Sequence, residues 1–272
     1  PELIEYHRDE RPNRPWLSAK AHVVLGSPRR SSEPLTPRHA DIARAAQKRY
    51  ETVFLELAEF ARRTTGRSHL VLGGGCAMNS VANGKLTRLG LFENVFVPPA
   101  PGDQGCAIGA ALAHVDHGIA RVHAKHNASP FLGPSYTADE LVDTLRRNKL
   151  AYSTENVIER AAALISTGRI GAVFDGAMEF GPRALGNRSI VADPRVADTR
   201  DRLNAVVKMR EAFRPFAGAV FGDTIDAYFD RAVESPYMNV VVQVREHARA
   251  LIPAIVHVDG SCRIQTLSRD QT

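Results

Sequence analysis

One segment restricts the fold of this chain more than any other. It consists of a short apolar run, a glycine turn and the start of a helix, in that order. His69–Leu72 has the length and composition of a buried strand, and Asn79 is a good N-cap for a helix that runs to Leu89. The turn between them consists of Gly73, Gly74 and Gly75. Backbone amides and the helix dipole at such a turn favour anions and nucleotides. Because the spacing matches neither a dinucleotide fingerprint nor a P-loop, a plain strand-to-helix turn stays an equal alternative.

The same order of elements returns further along the chain. Asn94–Val97 predicts another short strand, and Gly102–Gly105 opens a helix of small residues over Cys106–Ala113. Asp103 lies just ahead of this helix, where an aspartate caps the helix, ligates a metal or contacts a nucleotide. The residues alone leave these roles open. Strands that alternate with helices in this way predict an α/β fold of mixed α+β character.

An arginine-bearing loop follows the apolar run Ile170–Phe174, which we interpret as a buried strand. The loop, Glu179–Ile190, crowds glycines and a proline around Arg183 and Arg188. A second cationic group follows it, made of Lys208, Arg210 and Arg214. Glycine lets a backbone approach a ligand closely, and arginine forks hold phosphorylated anions by paired hydrogen bonds. The segment therefore predicts a site for a phosphate-like substrate, with a surface loop of ion-paired arginines as the alternative.

Hydrophobic periodicity predicts the elements of the remaining chain. Helices are expected at Arg38–Thr65, Thr137–Asn148, Glu155–Thr167 and Asp198–Lys208. Strands are expected at Gly218–Phe221 and Met238–Val244, and in a closing hairpin of 254–258 and 263–267. Residues 1–38 are rich in Pro, Arg, Glu and Ser and predict irregular structure. A change in composition near Phe131 predicts two domains, residues 1–130 and 131–272.

Charge and composition limit the classes of function. The 272 residues are 44% hydrophobic, which is enough for a substantial core, and their net charge of +5 suits anionic ligands as well as nucleic acid. No lysine/arginine block resembles a nucleic-acid tail, and no run of about 18 apolar residues predicts a membrane span. The odd set of cysteines without a C-x-x-C pattern predicts the reduced cytoplasm: Cys76, Cys106 and Cys262.

Four histidines are spaced like a metal cluster: His114, His117, His123 and His126. They have no glutamate or cysteine partner nearby, and histidine also suits a helix C-terminus electrostatically. We therefore do not expect a metal site at this cluster.

Five segments together resemble the O-carbamoyltransferases of the nodulation-protein U and antibiotic-tailoring type. They are residues 73–84, 101–111, 178–190, 208–217 and 257–266. Their order and spacing run through nearly the whole chain, and the third and fourth segments are specific. Cys76, Met78 and Gly218 depart conservatively from the family's usual residues.

The resemblance implies two joined domains. Residues 1–130 would be the C-terminal part of an actin-like ATPase-fold domain. Residues 131–272 would be an α/β domain resembling the carbamoyl-adenylate-forming, threonylcarbamoyl-AMP synthase-like fold. Family members are about twice as long, so we expect the chain to begin inside the first domain and to stop before the second ends. The family's histidine metal ligands would lie in the absent half.

The resemblance also implies an activity, an ATP-dependent O-carbamoyl transfer. Carbamoyl phosphate and ATP would form a carbamoyl-adenylate, whose carbamoyl group passes to a hydroxyl of an oligosaccharide or secondary metabolite. The catalytic cations would be Arg183, Arg188, Lys208, Arg210 and Arg214. Asn187 and Ser189 would orient the carbamoyl amide. The nucleotide would be bound by Gly73, Gly74, Gly75 and Asn79.

Asp103 would bind a divalent metal, either iron or a magnesium- or manganese-like ion. One carboxylate is a poor metal site, so we predict that this chain alone does not hold the metal tightly. A nucleic-acid-binding or tRNA-modification accessory and an inactive nucleotide-binding fragment stay open as alternatives. The expected partners are carbamoyl phosphate and a hydroxylated acceptor, without membrane or nucleic acid, and a homodimer is left open.

Overall fold

A computed structural model describes residues 18–114, 129–231 and 233–269, which fall into two compact units divided between Ala58 and Glu59. The first unit holds helix α1, Ala19–Leu25, and most of helix α2, Pro37–Thr65. The hydroxyl oxygen of Ser18 caps α1 by accepting the amide hydrogen of Ala21 at 3.2 Å. The predicted irregular structure is wrong over α1, because this cap and its apolar residues stabilise a short helix.

The second unit begins with two parallel strands and the helices that follow them. Strand β1, His69–Val71, pairs with strand β2, Asn94–Phe96. A 3₁₀ turn, Gly75–Met78, leads from β1 into helix α3, Ser80–Arg88, and helix α4 spans Gln104–His114. The predicted helix start is confirmed, because the side chain of Asn79 accepts the amide hydrogen of Ala82 at 3.1 Å.

The predicted strands at His69–Leu72 and Ile170–Phe174 are confirmed, but the prediction that they are buried is wrong in both cases. Val71 is 70% exposed, and Phe174, at the end of strand β3, Gly171–Phe174, is 53% exposed. Strand β3 pairs antiparallel with strand β4, Arg188–Val191. In the described ranges β1 pairs only with β2 and β3 only with β4, so two-stranded sheets leave their apolar residues uncovered.

The predicted helices of the middle segment are confirmed. Helix α5, Ala138–Arg147, starts with a capping box in which Thr137 and Glu140 satisfy each other's backbone amides. Helix α6, Val157–Ser166, is followed by Gly168 at φ +84°. Helix α7, Thr199–Arg202, continues into a π-helical turn, Leu203–Val207, which confirms helical structure over 198–208.

A four-stranded mixed sheet forms the core of the second unit. Its order is β5-β8-β7-β6, with β5 and β8 parallel and the other pairs antiparallel. The strands are β5 Ala217–Phe221, β6 Phe229–Asp230, β7 Val240–Val244 and β8 Ser261–Leu267. Helix α8, Glu246–Arg249, follows β7, and 3₁₀ turns span Gly222–Ala227 and Pro253–Ile255. Among the buried side chains are Phe229, Val242, Val244 and Ile264.

The predicted closing hairpin is wrong in its first arm. Residues 253–255 form a 3₁₀ turn that begins with Pro253, and the amide of Ala254 bonds the carbonyl of Pro194 at 3.1 Å. Strand β8, the predicted second arm, instead pairs with β5 and β7.

Helix α3 lies directly on strand β7. A Cβ on Gly84 would overlap the carbonyl oxygen of Val241, so only glycine allows this approach. The buried amide of Asn83 donates to the carbonyl oxygens of Ala77 at 2.8 Å and Asn239 at 3.0 Å. These contacts fix the glycine turn and α3 to the four-stranded sheet. None of the helices in the described part combines the length and the apolarity needed to cross a membrane.

Candidate anion-binding site

The carboxylate of Glu179 stabilises the arginine loop by accepting backbone hydrogen bonds from it. Its Oε1 accepts the backbone amides of Leu185 at 2.7 Å, Asn187 at 2.9 Å and Arg188 at 3.1 Å. The residue is 8% exposed. Desolvation raises the pKa of Glu179, but the backbone hydrogen bonds from Leu185, Arg188 and Asn187 outweigh it and hold the pKa below its ordinary value. An ionised Glu179 therefore shapes the loop.

Two further contacts hold this loop against its neighbours. Gly181 has φ +131°, and a Cβ there would lie 2.7 Å from the carbonyl oxygen of Pro99, just after β2. On the other side, the buried amide of Gln265 on β8 donates to the carbonyl of Leu185 at 2.7 Å. The loop is thus fixed between the segment after β2 and the four-stranded sheet.

Arg188 holds the loop and its surroundings together through backbone carbonyls. Its Nη1 donates to Asp175 at 2.6 Å and Asn187 at 2.9 Å, and its Nη2 to Gly176 at 3.1 Å and Pro134 at 3.2 Å. The guanidinium also lies 3.7 Å from the ring centroid of Phe174. Its predicted role in catalysis would have to use the remaining Nε–H or a rearranged side chain.

The two predicted amide-orienting residues also stabilise the loop. Asn187 donates its amide to the carbonyl of Ala177 at 2.7 Å, and the hydroxyl oxygen of Ser189 accepts the amide of Gly186 at 2.9 Å. The Oδ1 of Asn187 and the hydroxyl hydrogen of Ser189 have no partner within the described ranges and could contact a ligand.

Arg263, which the sequence prediction missed, lies beside Arg183. Its Nε is buried and has no acceptor among the described residues. Desolvation, together with the charges of Arg183 and Arg210, lowers the pKa of Arg263 to about 10. Desolvation also lowers the pKa of Arg183, and neither guanidinium has a carboxylate partner in the described ranges. The detectable signal was an arginine inside the otherwise uncharged strand β8.

Arg210 completes what we call the cationic cluster: Arg183, Arg210 and Arg263. The Nε of Arg210 donates to the Oδ1 of buried Asn204 at 2.7 Å, and its guanidinium lies 4.8 Å from the ring centroid of Phe216. Desolvation and then the charge of Arg214 lower the pKa of Arg210, and Glu211 opposes this. Sequence reasoning also missed Asn204, a polar residue within the apolar run Leu203–Val207.

The other two predicted cations lie at the surface. The side chain of Lys208 is exposed and has no hydrogen bond or ion pair in the part of the chain described. Arg214 is paired with Glu211 across 3.9 Å, and both side chains are more than half exposed. Their charges remain available to a ligand, but no contact fixes their positions as firmly as that of Arg210.

The glycine turn and the Asp103 loop adjoin each other at the carboxyl ends of the parallel strands. The amide of Gly74 donates to the carbonyl of Pro101 at 2.7 Å. Gly73, Gly74 and Gly75 are exposed, with open space where a side chain would project. The predicted nucleotide contact Asn79 uses its side-chain oxygen to cap α3.

The residues that the structure describes do not form a metal centre. Asp103 is exposed, and no group of three His, Cys, Asp or Glu side chains in the described ranges could hold an ion. His114 ends α4, whereas His117, His123 and His126 lie outside the described residues.

Comparison with known proteins gives the family of this chain. The family model described as Carbamoyltransferase N-terminus matches residues 12–112, and that described as Carbamoyltransferase C-terminus matches residues 162–272. The chain belongs to the carbamoyltransferase family. The cationic cluster lies within the C-terminal match, and the glycine turn and Asp103 lie within the N-terminal match.

Its similar proteins include several nodulation proteins. Nodulation protein NolNO of Sinorhizobium fredii is 40% identical over 252 residues, covering 89% of this chain and 37% of that protein. Nodulation protein NolO of Bradyrhizobium diazoefficiens is 39% identical over 249 residues, covering 89% of this chain and 45% of that protein. Nodulation protein U of Azorhizobium caulinodans is 38% identical over 80% of this chain and 37% of that protein. This member of the carbamoyltransferase family thus spans less than half the length of these relatives.

Proposed function

We propose that this chain binds carbamoyl phosphate at the cationic cluster and acts as part of an ATP-dependent O-carbamoyltransferase. The observation that carries the proposal is the buried Nε of Arg263, which has no acceptor in the described ranges and lies within reach of the charges of Arg183 and Arg210. A buried donor without a partner is unfavourable, so a bound anion would satisfy it.

Phosphate suits this cluster better than an uncharged ligand does. Hydrogen bonds between ionised groups are about twice as strong as neutral ones, and a guanidinium fork matches two phosphate oxygens. The neighbouring loop adds the Oδ1 of Asn187 and the hydroxyl of Ser189, which could accept from and donate to a carbamoyl group. The family to which the chain belongs supports a carbamoyl donor as the source of that anion.

The proposed reaction has two stages. Carbamoyl phosphate reacts with one water to release phosphate and carbamate, and a carbamate oxygen displaces pyrophosphate from ATP to give carbamoyl-adenylate. An acceptor hydroxyl then attacks the carbamoyl carbon, loses its proton and releases AMP. The cluster's part is electrostatic, because fixed cations stabilise charge that develops on the leaving phosphate.

The glycine turn is the proposed nucleotide contact. Its exposed backbone and the N-terminus of α3 favour phosphate groups, and the amide of Gly74 in the turn itself bonds the carbonyl of Pro101. Because Gly181 touches Pro99, the arginine loop and this turn border one continuous part of the second unit. No step is assigned to a metal, since Asp103 lacks companion ligands in the described ranges.

The domain assignment is also part of this proposal. Residues 1–130 would belong to an actin-like ATPase-fold domain, for which the parallel pair β1–β2 with helices after each strand is supporting evidence. Residues 131–272 would form the carbamoyl-adenylate-forming domain, whose sheet carries Arg263. The acceptor would be a hydroxyl of a small molecule, either an oligosaccharide or a secondary metabolite.

Pyrophosphate release from ATP tests this function. The full chain is mixed with ATP, with and without carbamoyl phosphate, and compared with Arg183→Met. We expect release that requires carbamoyl phosphate and falls by about tenfold or more in the variant, because a charged hydrogen-bond donor is lost. Arg269→Met is the control, since Arg269 pairs with Asp223 at the surface. Release that is independent of carbamoyl phosphate, or equal in Arg183→Met, contradicts the proposal.

A further inference from the structure

We infer that Asn204 is the positioning residue for Arg210, and that it holds the guanidinium in place without neutralising it. This inference rests on the proposed function of the cationic cluster. Asn204 is 1% exposed, and its Oδ1 accepts the Nε–H of Arg210 at 2.7 Å. Its Nδ2 donates to the carbonyls of Arg214 at 2.9 Å and Ala212 at 3.2 Å.

The backbone of Asn204 contributes to the same arrangement. Its carbonyl accepts the amide of Arg210 at 3.0 Å, so main chain and side chain of one residue both fix Arg210. The residue lies in the π-helical turn Leu203–Val207, in which the amide of Lys208 reaches back to the carbonyl of Leu203 at 2.9 Å. Single π turns occur frequently at functional sites because they redirect a side chain out of helical register.

An asparagine is chemically suited to this task where an aspartate is not. Its amide supplies one acceptor for the guanidinium and two donors for the carbonyls of Ala212 and Arg214. An aspartate would hold Arg210 equally well, but its charge would cancel the cation that the anion requires. It would also leave both carbonyls without their donor.

The contacts that position Arg210 use only part of its guanidinium group. Its Nε–H is taken by Asn204, one Nη2–H reaches the carbonyl of Pro215 at 3.4 Å, and Phe216 lies under its plane. The Nη1 end has no partner in the described part of the chain. The charge of Arg210 also acts on Arg263, which supports its assignment to the cationic cluster.

A double-mutant cycle with a spectroscopic readout tests the inference. Asn204→Ala is made in the full chain with Arg210 and with Arg210→Met, and binding of carbamoyl phosphate and of inorganic phosphate is measured by calorimetry. Solvent exchange of the Arg210 Nε–H is followed by NMR. We expect Asn204→Ala to weaken carbamoyl phosphate binding by about tenfold with Arg210 present and by less than about twofold without it, since a residue that acts through another loses its effect when that other is removed.

The NMR readout separates positioning from general stability. The Nε–H should be protected from exchange in the unmodified chain and lose protection in Asn204→Ala. Asn204→Asp, which serves if the alanine variant does not fold, should keep the protection but weaken phosphate binding. Any of three results overturns the inference. The first is an equal loss of affinity with and without Arg210, the second is unchanged protection of the Nε–H in Asn204→Ala, and the third is full phosphate affinity in Asn204→Asp. If the unmodified chain binds no carbamoyl phosphate, the proposed function fails, while the exchange measurement still decides whether Asn204 holds Arg210.

Discussion

The cationic cluster and the glycine turn differ in how firmly the fold holds the groups that would contact a ligand. Around the cluster, guanidinium groups are partly desolvated, and Asn204 and Glu179 fix the loops that carry them. The glycine turn is exposed, and Asn79 is already used as a helix cap. The first region is therefore organised before a ligand arrives, whereas the second offers backbone amides with no fixed side-chain charge.

Gly181 brings the arginine loop close to Pro99 after β2, and there we expect the largest effect on stability. Gly181→Ala should lower the free energy of unfolding by about 3 kcal/mol, because positive φ strains an L residue and the new Cβ would crowd the Pro99 carbonyl. Gly186→Ala is a matched control, since Gly186 has φ +132° but open space at its Cβ position. Urea unfolding should show a clearly smaller loss there; equal losses would remove the Pro99 contact from the explanation.

Glu179 should be the next most sensitive position. Glu179→Gln should destabilise the chain by about 2 kcal/mol, because the ionised acceptor of three backbone amides becomes neutral. The folded pKa of Glu179 is depressed, so its stabilising contribution is complete above the unfolded pKa of about 4.3 and is lost as pH falls through the folded pKa. The variant should lack this part of the acid dependence in unfolding measured between neutral and low pH. An unchanged acid dependence would contradict the ionised-acceptor role.

Removal of Arg263 should have the opposite effect on stability, because partial burial of its charged guanidinium costs free energy of folding. The lowering of the Arg263 pKa from its ordinary value to about 10 corresponds to about 3 kcal/mol of lost stability. For a cation with a depressed folded pKa, the cost is full at neutral pH and is relieved as pH rises through about 10. Arg263→Met should therefore raise stability by about 1–2 kcal/mol at neutral pH, part of the gain being offset by altered packing.

Arg269→Met is the control for this gain. Arg269 lies just beyond the same strand and pairs with exposed Asp223, so its removal should not stabilise the chain. Denaturant midpoints measured without phosphate provide the test. A destabilised Arg263→Met chain would mean that Arg263 already has its partner within the fold.

The smallest effects are expected in the glycine turn. Gly73→Ala and Gly75→Ala should change stability by less than about 0.5 kcal/mol, because their Cβ positions are open. Gly74→Ala should cost about 1 kcal/mol, since Gly74 has φ +88°. Thermal unfolding of the three variants checks this order. A large loss from Gly73→Ala would show that the turn is as tightly organised as the cationic cluster.

Local signals in the sequence predicted the helices well and the environments of the strands poorly. Asn79 and Thr137 each start a helix through hydrogen bonds with near neighbours, so both helix starts could be predicted from the sequence. Burial of Ile170–Phe174 depends on what covers the strand, which an apolar run does not specify. The hairpin near the end failed because Pro253 directs its segment into a 3₁₀ turn.

The sequence also could not show which of the arginines are used by the fold and which remain available to a ligand. The spacing in the sequence indicated that Arg183, Arg188 and Arg210 lie in one region. Only tertiary contacts decide which of these guanidinium groups is already hydrogen-bonded within the fold. Arg188 is bound by four carbonyls, including that of the distant Pro134, and no pattern around it predicts this. Arg263 lies far along the chain and reaches the cluster only through the pairing of β8 with β5 and β7.

The most direct test of the central claim is a calorimetric titration of the full chain with carbamoyl phosphate, with inorganic phosphate as a companion ligand. We expect binding by the unmodified chain and by Arg269→Met, and at least about tenfold weaker binding by Arg263→Met, because a buried charged donor to the anion is removed. Binding by Arg263→Met as tight as that of the unmodified chain would contradict the claim that the cationic cluster is the phosphate site.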